Sequence, residues 1–199
     1  MNNATWYGSC LALALFGASG CSDPVPPPAQ GGVTVGFTNA SPITPGLACS
    51  LKSGPSTFHV GSPSPGVGAN GADSSGNPLV DGQGGASVSC SVKGAGATFA
   101  FTGSLRGPAA EATVVQVRFS GTVTDGTTSY LSGSAYTGTE VDELSTGTDM
   151  GSMCAVTVIQ HQVKNGAIWA SFNCPHMDAT PSAECAVTGE FVFQNCDGS

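Results

Sequence analysis

The sequence predicts an all-β domain, an antiparallel β-sandwich of jelly-roll or immunoglobulin-like topology that is cross-linked by disulfides. Glycine (29 residues) and proline (13) occur in clusters along the 199-residue chain, as expected where many short strands are joined by turns. Several stretches alternate apolar and polar residues, and no stretch after residue 21 keeps a helical period for more than two turns. Six cysteines remain after the N-terminal segment, an even number that is typical of disulfide-bonded exported domains.

The N-terminal segment has the pattern of an export signal. An apolar run, Cys10–Phe16, is followed by the small residues Gly17–Gly20 and then by Cys21. A short apolar core before small residues is typical of a signal peptide, whereas a membrane-spanning helix needs about 20 apolar residues. We therefore expect residues 1–20 to be removed.

The sequence Ala18-Ser19-Gly20-Cys21 resembles the lipobox of bacterial lipoprotein precursors. The resemblance implies cleavage before Cys21 and a diacylglycerol on its thiol, so that the protein would be anchored by lipid in the bacterial cell envelope. Two positions depart from the family pattern: Ala18 stands where leucine is preferred, and residues 1–8 contain no Lys or Arg. The alternative is an ordinary secreted protein that is cut near Ala18.

Residues 21–32 are expected to form a tether, and residues 33–199 a single sandwich domain. Proline fixes φ and lacks a backbone donor, so Pro24–Pro28 is unsuited to helix or central strand and is typical of a semi-rigid spacer. After removal of the signal, the chain resembles the small envelope lipoproteins rich in Gly, Ser and Thr whose function is unknown.

Alternation and β-branched content predict nine strands in chain order. The stronger candidates are Ala86–Val92, Thr98–Leu105, Thr113–Thr124, Ala155–Val163, Ala167–Cys174 and Ala186–Gln194. The weaker ones are Val33–Thr38, Thr57–Val60 and Ser129–Thr137. Ser62–Gly85 has little pattern and is predicted to be a long surface loop.

Asn165-Gly166 predicts a two-residue type I′ hairpin turn that pairs Lys164 with Ala167. Strict alternation from this turn places two sets of residues on opposite faces. One face would carry Ile159, His161, Val163, Ile168, Ala170 and Phe172. The other would carry Val158, Gln160, Gln162, Trp169, Ser171 and Asn173.

The cysteines Cys49, Cys90, Cys154, Cys174, Cys185 and Cys196 are predicted to form three disulfides. In the hairpin register Cys174 lies opposite Thr157, so it is not expected to meet Cys154. Cys185 and Cys196 flank a strand that would span about 33 Å, whereas bonded Cα atoms lie within about 7 Å. The predicted pairing is therefore Cys49–Cys90 with either 154–196 and 174–185 or 154–185 and 174–196.

The candidate binding face combines an indole with neutral polar side chains. It consists of Gln160, Gln162, Trp169, Ser171 and Asn173. Tyr130 and Tyr136 are added as candidates because alternation places both on the same face of one predicted strand. Amides, hydroxyls and aromatic rings are groups that a neutral glycan or an envelope protein would need. The alternative is that Trp169 packs in the core, as large aromatic residues commonly do.

Charge and motifs restrict the function further. Five Lys+Arg against 13 Asp+Glu give a net charge of −8, so we expect no binding of nucleic acid. Glu140, Asp142 and Glu143 form a cluster that is predicted to be a charged loop, and Glu190 is predicted to face solvent from a strand. No nucleophile motif occurs, and no metal or cofactor is predicted.

The sequence thus predicts a membrane-anchored envelope lipoprotein that acts as a non-catalytic binding or structural module. The alternative is an exported hydrolase acting on polysaccharide or peptide.

Overall fold

The computed structural model describes residues 25–41, 48–49, 57–61, 78–108, 114–137, 141–147, 152–179 and 183–197. Within these residues the chain is all-β, with no helix, and every pairing between named strands is antiparallel. The predicted fold class is therefore confirmed. The strands are β1 Gln30–Asn39, β2 Thr57–Val60, β3 Leu79–Val80, β4 Ser87–Ala95, β5 Thr98–Gly107, β6 Val115–Thr124, β7 Thr128–Thr137, β8 Val141–Thr146, β9 Cys154–Lys164, β10 Ala167–Ala179 and β11 Ala183–Gln194.

Nine of these strands lie where the sequence predicts them, because alternation matches burial. In β5, for example, Phe99, Phe101 and Leu105 are buried while Thr98, Ala100 and Thr102 are exposed. Two strands differ from the prediction. β3 lies within the predicted long loop, and β8 begins inside the cluster at 140–143 that we expected to be a loop, since its pairing with β7 and β10 outweighs its polar composition.

The strands form one continuous sheet in the order β2-β1-β11-β10-β8-β7-β6-β5-β4. β9 also pairs with both β10 and β7, at the ends of those two strands that do not pair with β8. β4 to β7 follow one another as a plain meander.

The two halves of this sheet pack face to face through phenylalanine rings. Phe119 of β6 lies 4.9 Å from both Phe172 of β10 and Phe191 of β11, measured between ring centroids. Phe101 of β5 stacks on Phe191 at 5.4 Å and contacts Phe193 at 5.8 Å. The core thus lies between β4–β8 and the β9–β10–β11–β1 part of the sheet, and it leaves two outer faces for function.

The Asn165-Gly166 turn pairs Lys164 with Ala167 as predicted, but it is not of type I′. Type I′ requires positive φ at both central residues. Only Gly166 has it, at 81°. The Asn165 side chain instead accepts a hydrogen bond from the Gly94 backbone N–H (2.8 Å), which joins the turn to β4.

A large β-bulge interrupts β9 beyond this turn. Four residues, Ile159–Gln162, lie opposite the single residue Trp169 of β10, and the pairing resumes at Ala170 and Val158. The three extra residues reverse the side-chain parity of β9. Val158 is consequently buried in the core, whereas Ile159 is 53% exposed, and the predicted faces are wrong for this part of β9.

All six cysteines form disulfides, as predicted, but the predicted pairing is wrong. The bonds are Cys49–Cys185, Cys90–Cys196 and Cys154–Cys174. The bulge explains Cys154–Cys174, since its register shift places Cys154 opposite Cys174 with Cα atoms 4.0 Å apart. Cys185 and Cys196 lie at opposite ends of β11 and do not bond to each other, as the length of that strand predicts.

The other two disulfides hold irregular segments against strand ends. The Cys49 N–H donates to the Asn39 side chain, and Asn39 pairs with Cys185. After β11, Asp197 forms a parallel bridge with Ser91, which brings Cys196 beside Cys90. Three disulfides are typical of an oxidising, exported environment. The described residues include no helix long and apolar enough to cross a membrane.

Candidate functional site

Most of the predicted binding residues lie where β7, β9 and β10 are neighbours, whereas Tyr136 lies further along β7, beside Gln116. Tyr130, Ala155 and Asn173 stand side by side on β7, β9 and β10, and the next row contains Thr128, Thr157 and Ser171. Tyr130 is 50% exposed, and Ser171, Asn173 and Gln160 are exposed as well. Tyr130, Ser171 and Asn173 therefore lie on one exposed surface.

Trp169 is not an open platform on this surface. It is half-buried and packs on Val192 and Ala167 in a small cluster that is separate from the main core. Its Nε1 atom and the Oε1 atom of Gln162 are both shielded from solvent and have no hydrogen-bond partner among the described residues. A ligand on the present surface would not reach either atom.

The bulge beside Trp169 has a strained backbone. His161 has a φ of 70°, which is uncommon for a residue other than glycine. Asp125 holds it there by accepting a hydrogen bond from the His161 backbone N–H (2.8 Å). The His161 side chain is 81% exposed, so it does not lie on the apolar face where alternation places it.

The second outer face, that of β4–β8, forms an open groove of about 1110 Å³. Cross-strand registers place its floor in two rows. The first row runs over five strands and contains Ser89, Ser104, Arg118, Ser134 and Ser145. The second runs over four strands and contains Ser91, Thr102, Ser120 and Ser132.

Hydroxyl-bearing side chains are the most numerous group that lines the groove, and Gly103, Phe119 and Gly133 line it between them. With Thr146, nine serine and threonine side chains line it. Neighbouring strands are about 4.8 Å apart and alternate residues on a strand about 6.8 Å apart. Each hydroxyl can donate one hydrogen bond and accept two. Such an array suits a ligand whose own groups both donate and accept, at repeated spacing.

One wall of the groove is built by the segments that flank the sheet. Pro26–Pro28 and Asn195–Asp197 line this wall, together with Asp81. The Asn195 side chain donates to the Pro28 carbonyl oxygen (3.2 Å), and Asp81 accepts from the Val88 N–H (2.8 Å). The Asp197 N–H donates to the Cys90 carbonyl oxygen (3.0 Å), so the wall is attached to β4.

Both arginines of the chain lie on this same face, around Gln116. Arg106 of β5 stands opposite Gln116 of β6, and Tyr136 of β7 stands on the other side of Gln116. With the Gln116 amide oxygen turned toward the guanidinium, it accepts from Nε and Nη2 of Arg118 at 2.5 and 2.6 Å. Gln116 is 7% exposed, so a buried amide orients Arg118, the one cation among the described residues that line the groove.

A separate titratable pair lies in the irregular part of β10. His176 Nδ1 and Glu184 Oε1 are 2.6 Å apart, and Glu184 is 7% exposed. A short bond of this kind compensates for the burial of a carboxylate. Neither residue lines the groove.

Other candidates from the sequence fall elsewhere. Glu190 is exposed on β11, as predicted. Glu140 and Cys21 lie outside the described residues, as do the side chains of Asp142 and Glu143. In the part of the chain that the structure describes, no three His, Cys, Asp or Glu residues are placed to hold a metal ion.

The hydroxyl groove is the site that sequence reasoning missed. Its signal is present as polar alternation, since Ser87, Ser89 and Ser91 occupy every second position of β4 and Thr98 and Thr102 recur on β5. These residues can be recognised as one surface only when the register of the five strands is known. No protein-family model, curated protein or solved structure matches the chain.

Proposed function

We propose that this protein is a lipid-anchored lipoprotein of the bacterial envelope whose domain binds a glycan, without catalysis, in the hydroxyl groove. The observation that carries the proposal is the floor of the groove, on which eight hydroxyl side chains lie in register over five strands. Polar recognition of a sugar chain depends on many such weak bonds, each contributing about 0.5–1.5 kcal/mol.

The position of the tether supports an anchored binding module. Pro26–Pro28 line the groove, and Pro26 follows Cys21 by five residues. Five residues reach at most about 18 Å. A lipid on Cys21 would therefore hold the wall of the groove close to the membrane surface, where an envelope glycan can be bound.

The anchor is tested by metabolic labelling with a fatty-acid analogue in a bacterial host. We expect the protein to be labelled, and Cys21→Ser to abolish the label because the acylated thiol is lost. Cys10→Ser is the matched control, since Cys10 lies in the segment that is removed, and it should be labelled normally. A Cys21→Ser protein that still carries the label would overturn the lipid anchor.

The binding site is tested by obstructing each outer face in turn. Ser120 and Ser171 are both exposed serines in the middle of strands, one in the groove and one on the opposite face. We expect Ser120→Tyr to weaken binding to an immobilised panel of envelope and plant-wall oligosaccharides at least tenfold, because the ring fills the floor. Ser171→Tyr should bind like the unaltered protein. The reverse result would place the site on the predicted Trp169 face, and absence of binding by the unaltered protein would refute the proposed function.

A further inference from the structure

We infer that the glycan is a straight, extended chain of β-1,4-linked sugars, and that it lies across the strands of the hydroxyl groove with roughly one sugar on each strand. This inference rests on the proposed function and names its ligand more closely. Three features carry it: the long direction of the groove, the shape of its floor and the spacing of its hydroxyls.

The rows of the groove are longer across the strands than along them. Each of the strands β4 to β7 contributes two outward residues, one to the first row and one to the second. Two such residues on one strand are about 6.8 Å apart, whereas the first row extends over five strands, or about 19 Å. A long ligand therefore finds most of its contacts when it crosses the strands.

Between the two rows the floor consists of backbone. Gly103, Phe119 and Gly133 lie side by side there on β5, β6 and β7. The Phe119 side chain is buried in the core. A Cβ atom on Gly103 would lie 2.7 Å from the Phe101 ring, and one on Gly133 would lie 2.8 Å from the Cys154 sulfur, so both glycines also face inward. None of these three positions projects a side chain between the rows, and a flat ring can lie over them.

Arg118 borders this floor and does not cross it. Its guanidinium lies against the amide of Gln116, two residues before it on β6, whereas Ser120 lies two residues after it. The long side chain is therefore turned along β6, away from the second row. The second row carries a hydroxyl on each of its four strands, from Ser91 on β4 to Ser132 on β7.

An extended sugar chain matches both spacings of the groove. In a β-1,4-linked chain each ring carries hydroxyl groups at its two edges and its linkages at its two ends. When the ring lies flat, its edges lie over the two rows, where serine and threonine can both donate and accept. The length of one such sugar is close to the strand spacing of about 4.8 Å, so successive sugars meet successive strands.

A curved sugar chain does not match the rows. An α-1,4 linkage turns each sugar relative to the last, and the chain coils away from a straight row. The β-1,4 chain is straight, and small rotations about its linkages let it follow the twist of about 20–25° between neighbouring strands.

The wall beside β4 marks one end of the bound chain. Asp197 forms a bridge with Ser91, so it lies at the β4 end of the second row, and Asp81 lines the same wall. A carboxylate there can accept from the hydroxyl groups of a terminal sugar. From this wall to β8 the rows have places for about four or five sugars.

The test compares oligomers that differ only in their linkage. Cellohexaose and maltohexaose contain the same number of glucose units, joined by β-1,4 linkages in the first and α-1,4 linkages in the second. Hexamers of xylose, mannose and N-acetylglucosamine complete the β-1,4 set. By isothermal titration calorimetry we expect at least one β-1,4 hexamer to bind, and maltohexaose to bind about tenfold more weakly or less.

A length series and one substitution test the direction of the chain. For the best β-1,4 sugar, Kd should fall about threefold to tenfold with each added unit and level off at about four or five units, where the rows end. Thr102→Val should weaken binding of the hexamer about threefold to tenfold, because it removes one hydroxyl of the second row and keeps the shape of the side chain. Thr98→Val is the matched control, since Thr98 is an exposed threonine of the same strand that does not line the groove, and it should bind like the unaltered protein.

Three results would overturn the extended chain while leaving glycan binding standing. They are binding of maltohexaose as tight as that of every β-1,4 hexamer, an affinity that does not rise beyond the disaccharide, and a Thr102→Val protein that binds the hexamer as tightly as Thr98→Val. Absence of binding by every oligosaccharide would count against the proposed function itself.

Discussion

Replacing Cys90 and Cys196 together with alanine should lower the free energy of unfolding by about 4–5 kcal/mol. This disulfide joins residues 106 positions apart, and a cross-link that closes a loop of about 100 residues restricts the unfolded chain by about 4.7 kcal/mol. The bond also holds the C-terminal segment along β4, where it forms a wall of the groove. Glycan binding should therefore weaken together with stability.

Urea unfolding at equilibrium measures the effect, and the Cys154–Cys174 bond provides the comparison. That bond closes a loop of 20 residues, for which loop closure contributes only about 3 kcal/mol. If the double alanine variant at 90 and 196 loses less than about 2 kcal/mol, the segment after β11 is held by its backbone hydrogen bonds alone.

Phe191→Ala should lower the free energy of unfolding by about 3–5 kcal/mol, because a large ring at the centre of the core leaves a cavity that cannot close. Phe191 is fully buried and contacts rings from both halves of the sheet. Its centroid lies 4.9 Å from that of Phe119, 5.4 Å from Phe101 and 5.6 Å from Phe193. Among the residues that the structure describes, no other ring joins so many strands.

The neighbouring residue is the control for this substitution. Glu190 lies next to Phe191 on the same strand but on the exposed face, so Glu190→Ala should change stability by about 0.5 kcal/mol or less. Both variants are compared by urea unfolding, and the slope of the unfolding free energy against urea concentration is compared as well. A changed slope would indicate an altered denatured state. A loss below about 1 kcal/mol for Phe191→Ala would contradict packing of the two halves through this ring.

The strands could be predicted from sequence because burial in an antiparallel sheet follows the alternation of side chains. Val187, Gly189, Phe191 and Phe193 face the core as their spacing predicts. β8 escaped prediction because its sequence is polar and acidic, and its place depends on pairing with β7 and β10. The position of β8 therefore depends on its partner strands and not on its own sequence pattern.

The disulfide pairing could not be predicted because it depends on one irregularity. Strict alternation from the Asn165-Gly166 turn gives a register that the bulge at Ile159–Gln162 shifts by three residues. The bulge is held by Asp125 from the β6–β7 turn, which is 36 residues away in sequence from His161. Local sequence patterns do not reveal that contact. Strict alternation therefore predicts that Cys154 and Cys174 do not bond to each other.

The candidate site, too, could be predicted only in part from the sequence. Alternation predicts that Tyr130 and Tyr136 share one face of β7, and the burial of Leu131 and Ala135 on its other face agrees with this. The groove, however, exists because β4 to β8 align their serines and threonines in rows and because the chain brings Pro26–Pro28 and Asp197 beside them. Alternation along a strand predicts which of its residues share a face. Which residues of the neighbouring strands lie beside them depends on the register between the strands.

The most direct test of the account is a map of backbone amide shifts in NMR spectra during titration with the oligosaccharide that binds most tightly in the panel. If the hydroxyl groove is the binding site, the largest changes will occur at Ser104, Ser120 and Ser134, which lie on the floor of the groove. Changes confined to Ser171, Asn173 and Trp169, on the opposite face, would contradict the account and assign binding to the surface that the sequence first indicated.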